Sequence, residues 1–201
     1  MRYFFVSIVL FWAGIAHGQS GVENDVQAGD VIFHRSRSAQ SRIIRQVTNS
    51  PWTHVGVVFE REGALWVLEA VQPVKWTALQ TWVRRGRGAE YTIRRPRAAL
   101  SGDALNTLRE HGERFLGRRY DTRFEWDERR IYCSELVWLM FEQALGVRLS
   151  EPQRWRDLTL SRAARRLARQ RLGRLPPPEA LIVTPAALLD STALFDPRAP
   201  E

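Results

Sequence analysis

Two residue types are nearly missing. The 201-residue chain has one cysteine, Cys133, and Lys75 is the only lysine among its 30 basic residues. One cysteine excludes an intrachain disulfide and any Cys-rich zinc site. No set of three or four residues has metal-ligand spacing, so neither a metal nor a cofactor is expected. There is no internal repeat. Composition (44% hydrophobic, 26% charged) excludes collagen-like, low-complexity and multi-span membrane classes and fits one globular domain. With 22 acidic residues the net charge is +8.

Residues 1–18 read as a secretory leader: a cationic start at Arg2, an apolar run over residues 3–15, then Ala16-His17-Gly18. Cleavage is expected before Gln19, leaving residues 19–201 as one domain; the alternative is an uncleaved anchor. The run is short of the roughly 20 residues that span a bilayer. It lacks a lipobox cysteine, so the leader is not of the lipoprotein kind. The expectation is therefore an exported protein, periplasmic or secreted. A lone thiol is unusual there, because structural cysteines in oxidising compartments come in pairs. It is either an inert core residue or a retained nucleophile.

The pattern predicts strands at residues 31–33, 54–59, 64–70, 91–94 and 181–183. Helices are predicted within residues 36–50, over 102–116 behind a Ser101 cap, over 134–145, over 161–172, and in a short turn from Thr184-Pro185. Residues 117–126 read as an aromatic-rich loop. Cys133 falls at the start of the 134–145 helix, where unpaired N–H groups and the helix dipole favour a thiolate and could hold an oxyanion. A small core residue at a helix start is the bland alternative.

The strands flanking residues 60–63 read as a hairpin. If those four residues form the turn, His54 lies directly opposite Glu69; a slip of two leaves them diagonal on the same face. A carboxylate beside an imidazole fixes its tautomer and stabilises its cation. The competing reading is a core histidine and a strand-edge charge. Of the other histidines, His17 leaves with the leader, His111 is expected to face solvent, and His34 is placed on the surface rather than in the cleft.

The segments GDVIF, THVGVVF, WVLEAV, GRRYDTRFEW and YCSELVW occur here in that order. This order resembles the circularly permuted papain-like cysteine hydrolases, the YiiX/YaeF group of the NlpC-like superfamily, in which the histidine precedes the cysteine. The resemblance covers about residues 29–145, with an echo in VTPAALLDS near the end. It implies an α+β fold, a small antiparallel sheet packed against helices with the nucleophile at a helix N-terminus. By position it implies Cys133 as nucleophile, His54 as base and Glu69 as the third, polar member. Tyr120 matches a cleft-lining tyrosine whose hydroxyl could donate to a substrate carbonyl, or is simply a packing aromatic.

The resemblance implies a cysteine hydrolase that opens an amide through a thioester. Candidate partners are a peptidoglycan stem peptide, an N-acyl amino acid or a lipid-linked amide. One alternative is a thioester-forming acyltransferase similar to lecithin–retinol acyltransferase, although such relatives carry a second histidine where this chain has Glu69. Another is a non-catalytic envelope-binding protein. The arginine-dense segment 161–174 departs from the family pattern and reads as a solvated helix or as a contact with anionic envelope polymer or lipid. An exported chain without a recognition motif is a poor nucleic-acid binder.

Overall fold

The computed structural model describes residues 25–38, 40–126, 129–158 and 160–200. The leader and its cleavage point lie outside the described residues. Six strands form one antiparallel sheet: β1 (Val31–His34), β2 (His54–Arg61), β3 (Ala64–Glu69), β4 (Lys75–Ala78), β5 (Tyr91–Pro96) and β10 (Leu194–Phe195), in the order β10-β5-β1-β2-β3-β4. Two short ribbons complete the strands: β6 (Arg119–Tyr120) with β7 (Arg130–Ile131), and β8 (Gln153–Arg154) with β9 (Leu181–Ile182).

Alternation along the strands sorts the core into two layers. Val31, Phe33, Val55, Val57, Phe59 and Leu68 face α3 (Gly102–Glu113) and α4 (Cys133–Leu145), meeting Leu108, Leu136, Val137 and Met140. Ile32, Val58, Val67 and Ile93 face α2 (Leu79–Arg85) and pack on Leu79, Trp82 and Val83. Each such fully buried aliphatic or aromatic side chain contributes about 1.5–3 kcal/mol. A third cluster joins α1 (Ser41–Thr48) to α5 (Arg162–Leu172) through Ile43, Ile44, Val47, Ala168 and Leu172. The last helix, α6 (Pro185–Leu189), starts behind Thr184, whose side chain accepts from the Ala187 N–H.

The hairpin turn is tighter than the four residues read from the sequence. Glu60 and Arg61 continue the ladder, opposite Leu65 and Ala64. Only Glu62 and Gly63 make the turn, with φ of 53° and 73°. Positive φ at both central residues matches the right-handed twist of the flanking strands. The register therefore slips by two, so His54 and Glu69 are diagonal neighbours and Gly56 comes opposite Glu69. A Cβ on Gly56 would stand 2.8 Å from the Leu68 carbonyl oxygen and 2.5 Å from a Val67 methyl, so the close approach needs glycine.

β4 and α2 were absent from the sequence reading. α3 ends at Glu113, short of the expected 116, and Leu116 is left exposed. Among the described residues no helix is long and apolar enough to cross a membrane.

Candidate active site

β7 runs through Tyr132 straight into α4, so Cys133 is the first residue of the helix. The Tyr132 N–H donates to the side chain of Glu135 at 3.2 Å, which satisfies one of the orphan donors at this helix end. The glutamate of YCSEL is thus a cap. Its neighbours are fastened too. The Ser134 hydroxyl donates to the Val183 carbonyl at 2.8 Å, and the Val183 N–H donates to the Tyr132 hydroxyl at 3.1 Å. One residue of the VTPAALLDS segment therefore grips both sides of the thiol.

Cys133 belongs to the layer facing α3 and α4, whereas the His54 ring lies on the opposite face, 5.9 Å from the Trp82 ring. They meet because His54 is the first residue of β2, at the end of the sheet where α4 begins. On one side the imidazole has Cys133 as its electrostatic partner, each favouring the charged form of the other. On the other, its Nε2 lies 2.6 Å from Glu69 Oε2, which leaves Nδ1 for the sulfur. The Tyr120 hydroxyl donates toward Cys133 Sγ at 3.8 Å.

Glu69 is fully buried in the sheet, and a buried carboxylate is costly unless it is paired and hydrogen-bonded. Four groups meet it: His54, the Thr77 hydroxyl at 2.6 Å, the Trp82 indole N–H at 2.9 Å, and the Arg85 guanidinium. Sequence reasoning missed Trp82 and Arg85. Their only signal is Leu79, Trp82 and Val83 at helical spacing in a seven-residue helix.

The electrostatics follow from these contacts. Burial works against a charged imidazole, but Cys133 and Glu69 outweigh it and raise His54 from 6.5 to about 9. Burial likewise pushes the Cys133 thiol up, but the hydrogen bond and charge of His54, helped by Tyr120, hold it below its ordinary value. His54 and Arg85 overcome burial at Glu69 and keep that carboxyl well below the usual range. These shifts act in the direction of a thiolate–imidazolium pair backed by a carboxylate.

His34 corrects the surface placement. It is buried, stacked on Trp82 with ring centroids 4.1 Å apart, and 5.0 Å from the His54 ring. β1 extends one residue beyond the expected strand, pairing His34 with His54 beneath α2. Burial, with the positive charges of His54 and Arg85, pulls its pKa far down, so it is neutral. His111 is half-buried, with a ring nitrogen 2.9 Å from the Thr107 carbonyl, rather than fully in solvent.

A cleft of about 580 Å³ opens beside these groups, bounded by His34, Ser36, His54, Gln72, Tyr120 and others. Cys133, 1% exposed, lies just behind this wall, with its sulfur 3.8 Å from the hydroxyl of the lining residue Tyr120.

A model of the permuted papain-like amidase family, YaeF/YiiX, matches residues 25–195. The chain belongs to this family. Membership in the permuted papain-like amidases makes the protein a cysteine hydrolase at the level of the family, with the α+β fold described above. A protein of Escherichia coli strain K12 described as uncharacterized protein YiiX is 37% identical over 169 residues, covering 84% of each chain. A crystal structure titled as that of the metalloprotein yiiX from Escherichia coli O157:H7 superimposes with a TM-score of 0.81 at 37% identity. It covers 85% of this chain and 96% of its own.

Proposed function

We propose that the protein is an exported cysteine amidase that opens a peptide amide of the cell envelope through a thioester on Cys133. The observation that carries this reading is Cys133 at the N-terminus of α4 coupled electrostatically to His54, whose ring is held 2.6 Å from the buried Glu69. The thiolate attacks the amide carbonyl carbon, and the oxyanion forms against the α4 N–H groups and the Tyr120 hydroxyl. As the C–N bond breaks, the imidazolium gives its proton to the leaving amine. His54, now neutral, takes a proton from water, the water oxygen displaces sulfur, and the free acid leaves. Glu69 holds the ring and balances its charge.

The cleft lining mixes Ser36, Ser38, Gln40, Gln72 and Thr122 with Ala70, Val71 and Tyr120, and its hydrogen-bonding side chains suit a peptide backbone. A glutamate at position 69 favours water over a second acyl acceptor, by the contrast with acyltransferase-like relatives. The exposed arginines 162, 165, 166 and 169 of α5 offer a contact to anionic envelope polymer. The solved relative is titled a metalloprotein. In this chain no group of three His, Cys, Asp or Glu suited to a metal exists among the described residues, and Glu69 is already occupied by four partners. The residues do not fit a metal, and no step uses one.

Two measurements test the reading. Iodoacetamide is expected to alkylate Cys133 in the folded protein well below pH 8, and His54→Ala to slow this several-fold there. Labelling that follows an ordinary thiol pKa near 8.5 and ignores His54 would make Cys133 an inert core residue. Protein recovered from periplasm or medium is expected to begin at Gln19 by mass spectrometry, and Met1 there would mean an anchored form.

A further inference from the structure

The steps above need the Tyr120 hydroxyl at the sulfur, yet the strand that carries it, β6, is only two residues long. Its ladder lies on one side. Tyr120 is partnered to Ile131, and the Asp121 N–H donates to the Ile131 carbonyl at 3.1 Å. Successive N–H groups of a strand point to opposite edges, so the Tyr120 N–H faces away from β7. There it donates to the side-chain oxygen Oε1 of Gln72 at 2.6 Å. A backbone donor that no strand pairs is satisfied by one side chain.

Gln72 stands on the segment that leaves β3. Glu69, the last residue of β3, holds the His54 ring; three residues further on, Gln72 holds the Tyr120 backbone. The segment is itself tied to the chain entering β6. The Val74 N–H donates to the Arg118 carbonyl at 2.9 Å, and the Gly117 N–H donates to the Val74 carbonyl at 3.0 Å. One stretch, residues 69–74, thus supports both partners of the thiol, the imidazole and the hydroxyl. At 3.8 Å the hydroxyl–sulfur contact has little length to spare, so a small displacement of β6 loosens it.

We propose that Gln72 is a positioning residue, which by accepting from the Tyr120 N–H fixes β6 so that the Tyr120 hydroxyl meets the Cys133 sulfur and, during the reaction, the oxyanion. The role in turnover rests on the amidase reading above, whereas the role at the resting thiol does not. Gln72 is exposed, so replacing it removes little packing and the fold should be kept.

The test is a double-mutant cycle between Gln72→Met, which keeps the unbranched length and removes the acceptor, and Tyr120→Phe. Two readouts are taken: steady-state kinetics on a peptide amide, and the pH dependence of iodoacetamide alkylation of Cys133. Because Tyr120 helps hold the thiol down, Gln72→Met is expected to move the alkylation profile to higher pH, in the same direction as Tyr120→Phe. It should lower kcat by about 3- to 10-fold, the scale of one neutral hydrogen bond, and leave KM within about twofold. In the Tyr120→Phe background Gln72→Met should change neither readout further, because the hydroxyl through which it acts is gone. Losses that add in the cycle, or a Gln72→Met protein with wild-type kcat and alkylation profile, overturn the proposal.

Alkylation separates the two readings. If the wild-type protein turns over no peptide amide, the amidase reading fails, and the profile still decides on Gln72. A shift that appears with Gln72→Met only while Tyr120 is present keeps the positioning role. A profile that Gln72→Met leaves in place, or moves equally without the Tyr120 hydroxyl, removes it.

Discussion

Cys133→Ser is expected to abolish amide hydrolysis, leaving turnover at background on every peptide amide the wild-type protein cleaves. A serine hydroxyl titrates far above a thiol, and His54 alone has no means of ionising it in the ground state. His54→Ala is expected to leave a trace, because the α4 N–H groups and Tyr120 still favour some thiolate. The pH dependence carries the same logic. The active pair needs Cys133 deprotonated and His54 protonated. With the thiol held below its ordinary value and the imidazole raised to about 9, the active window opens on the acid side as Cys133 ionises. It closes as pH rises through about 9 and the imidazolium loses its proton. Alkylation by iodoacetamide needs only the thiolate, so it should persist above pH 9 while kcat/KM falls. A Cys133→Ser protein with wild-type turnover would remove the thiol from the mechanism, and hydrolysis still rising above pH 10 would remove the imidazolium.

How much of this was legible in the sequence depended on whether the cause was local. The order of His54 before Cys133, the helix start at the thiol and the hairpin all rest on short-range patterns, and the structure has them. The four-residue turn does not hold, and the register is the slip of two left open above, because Glu60-Arg61-Glu62-Gly63 is polar throughout and composition does not show where such a turn begins. The left-handed Glu62 that shortens it is not a residue type favoured there. α2 is seven residues long with two terminal arginines, too short for periodicity to stand out, yet it brings Trp82 and Arg85 to Glu69. His34 looked exposed because Arg35 follows it. What buries it is Trp82, a residue of a different element, and no local pattern announces a stack between them. Glu135 was read as part of a family motif; its physical task is to close the helix end.

The last and most discriminating substitution is Glu69→Gln, expected to lower kcat/KM by about 10²–10⁴-fold while keeping the fold. Glutamine retains the size and an acceptor for Thr77 or Trp82. It removes the negative charge that His54 and Arg85 share, and Arg85 then stands uncompensated near the imidazole. Both changes favour neutral His54, so its pKa should fall from about 9 toward or below 6.5, and the Cys133 thiol should rise as its cationic partner weakens. The active window consequently narrows from both sides, and its alkaline edge moves to lower pH. Stability responds in the opposite pH range. Because the Glu69 carboxyl is held below its ordinary value of 4.5, its contribution is fully present above that pH and is lost as pH falls toward the folded value. Glu69→Gln should therefore be less stable than wild type at neutral pH but lose less between pH 4.5 and pH 2, which urea titrations at the two ends would read. A merely structural Glu69 would reproduce the stability change and leave the alkaline edge near 9. Movement of that edge is what assigns the carboxylate to the imidazolium.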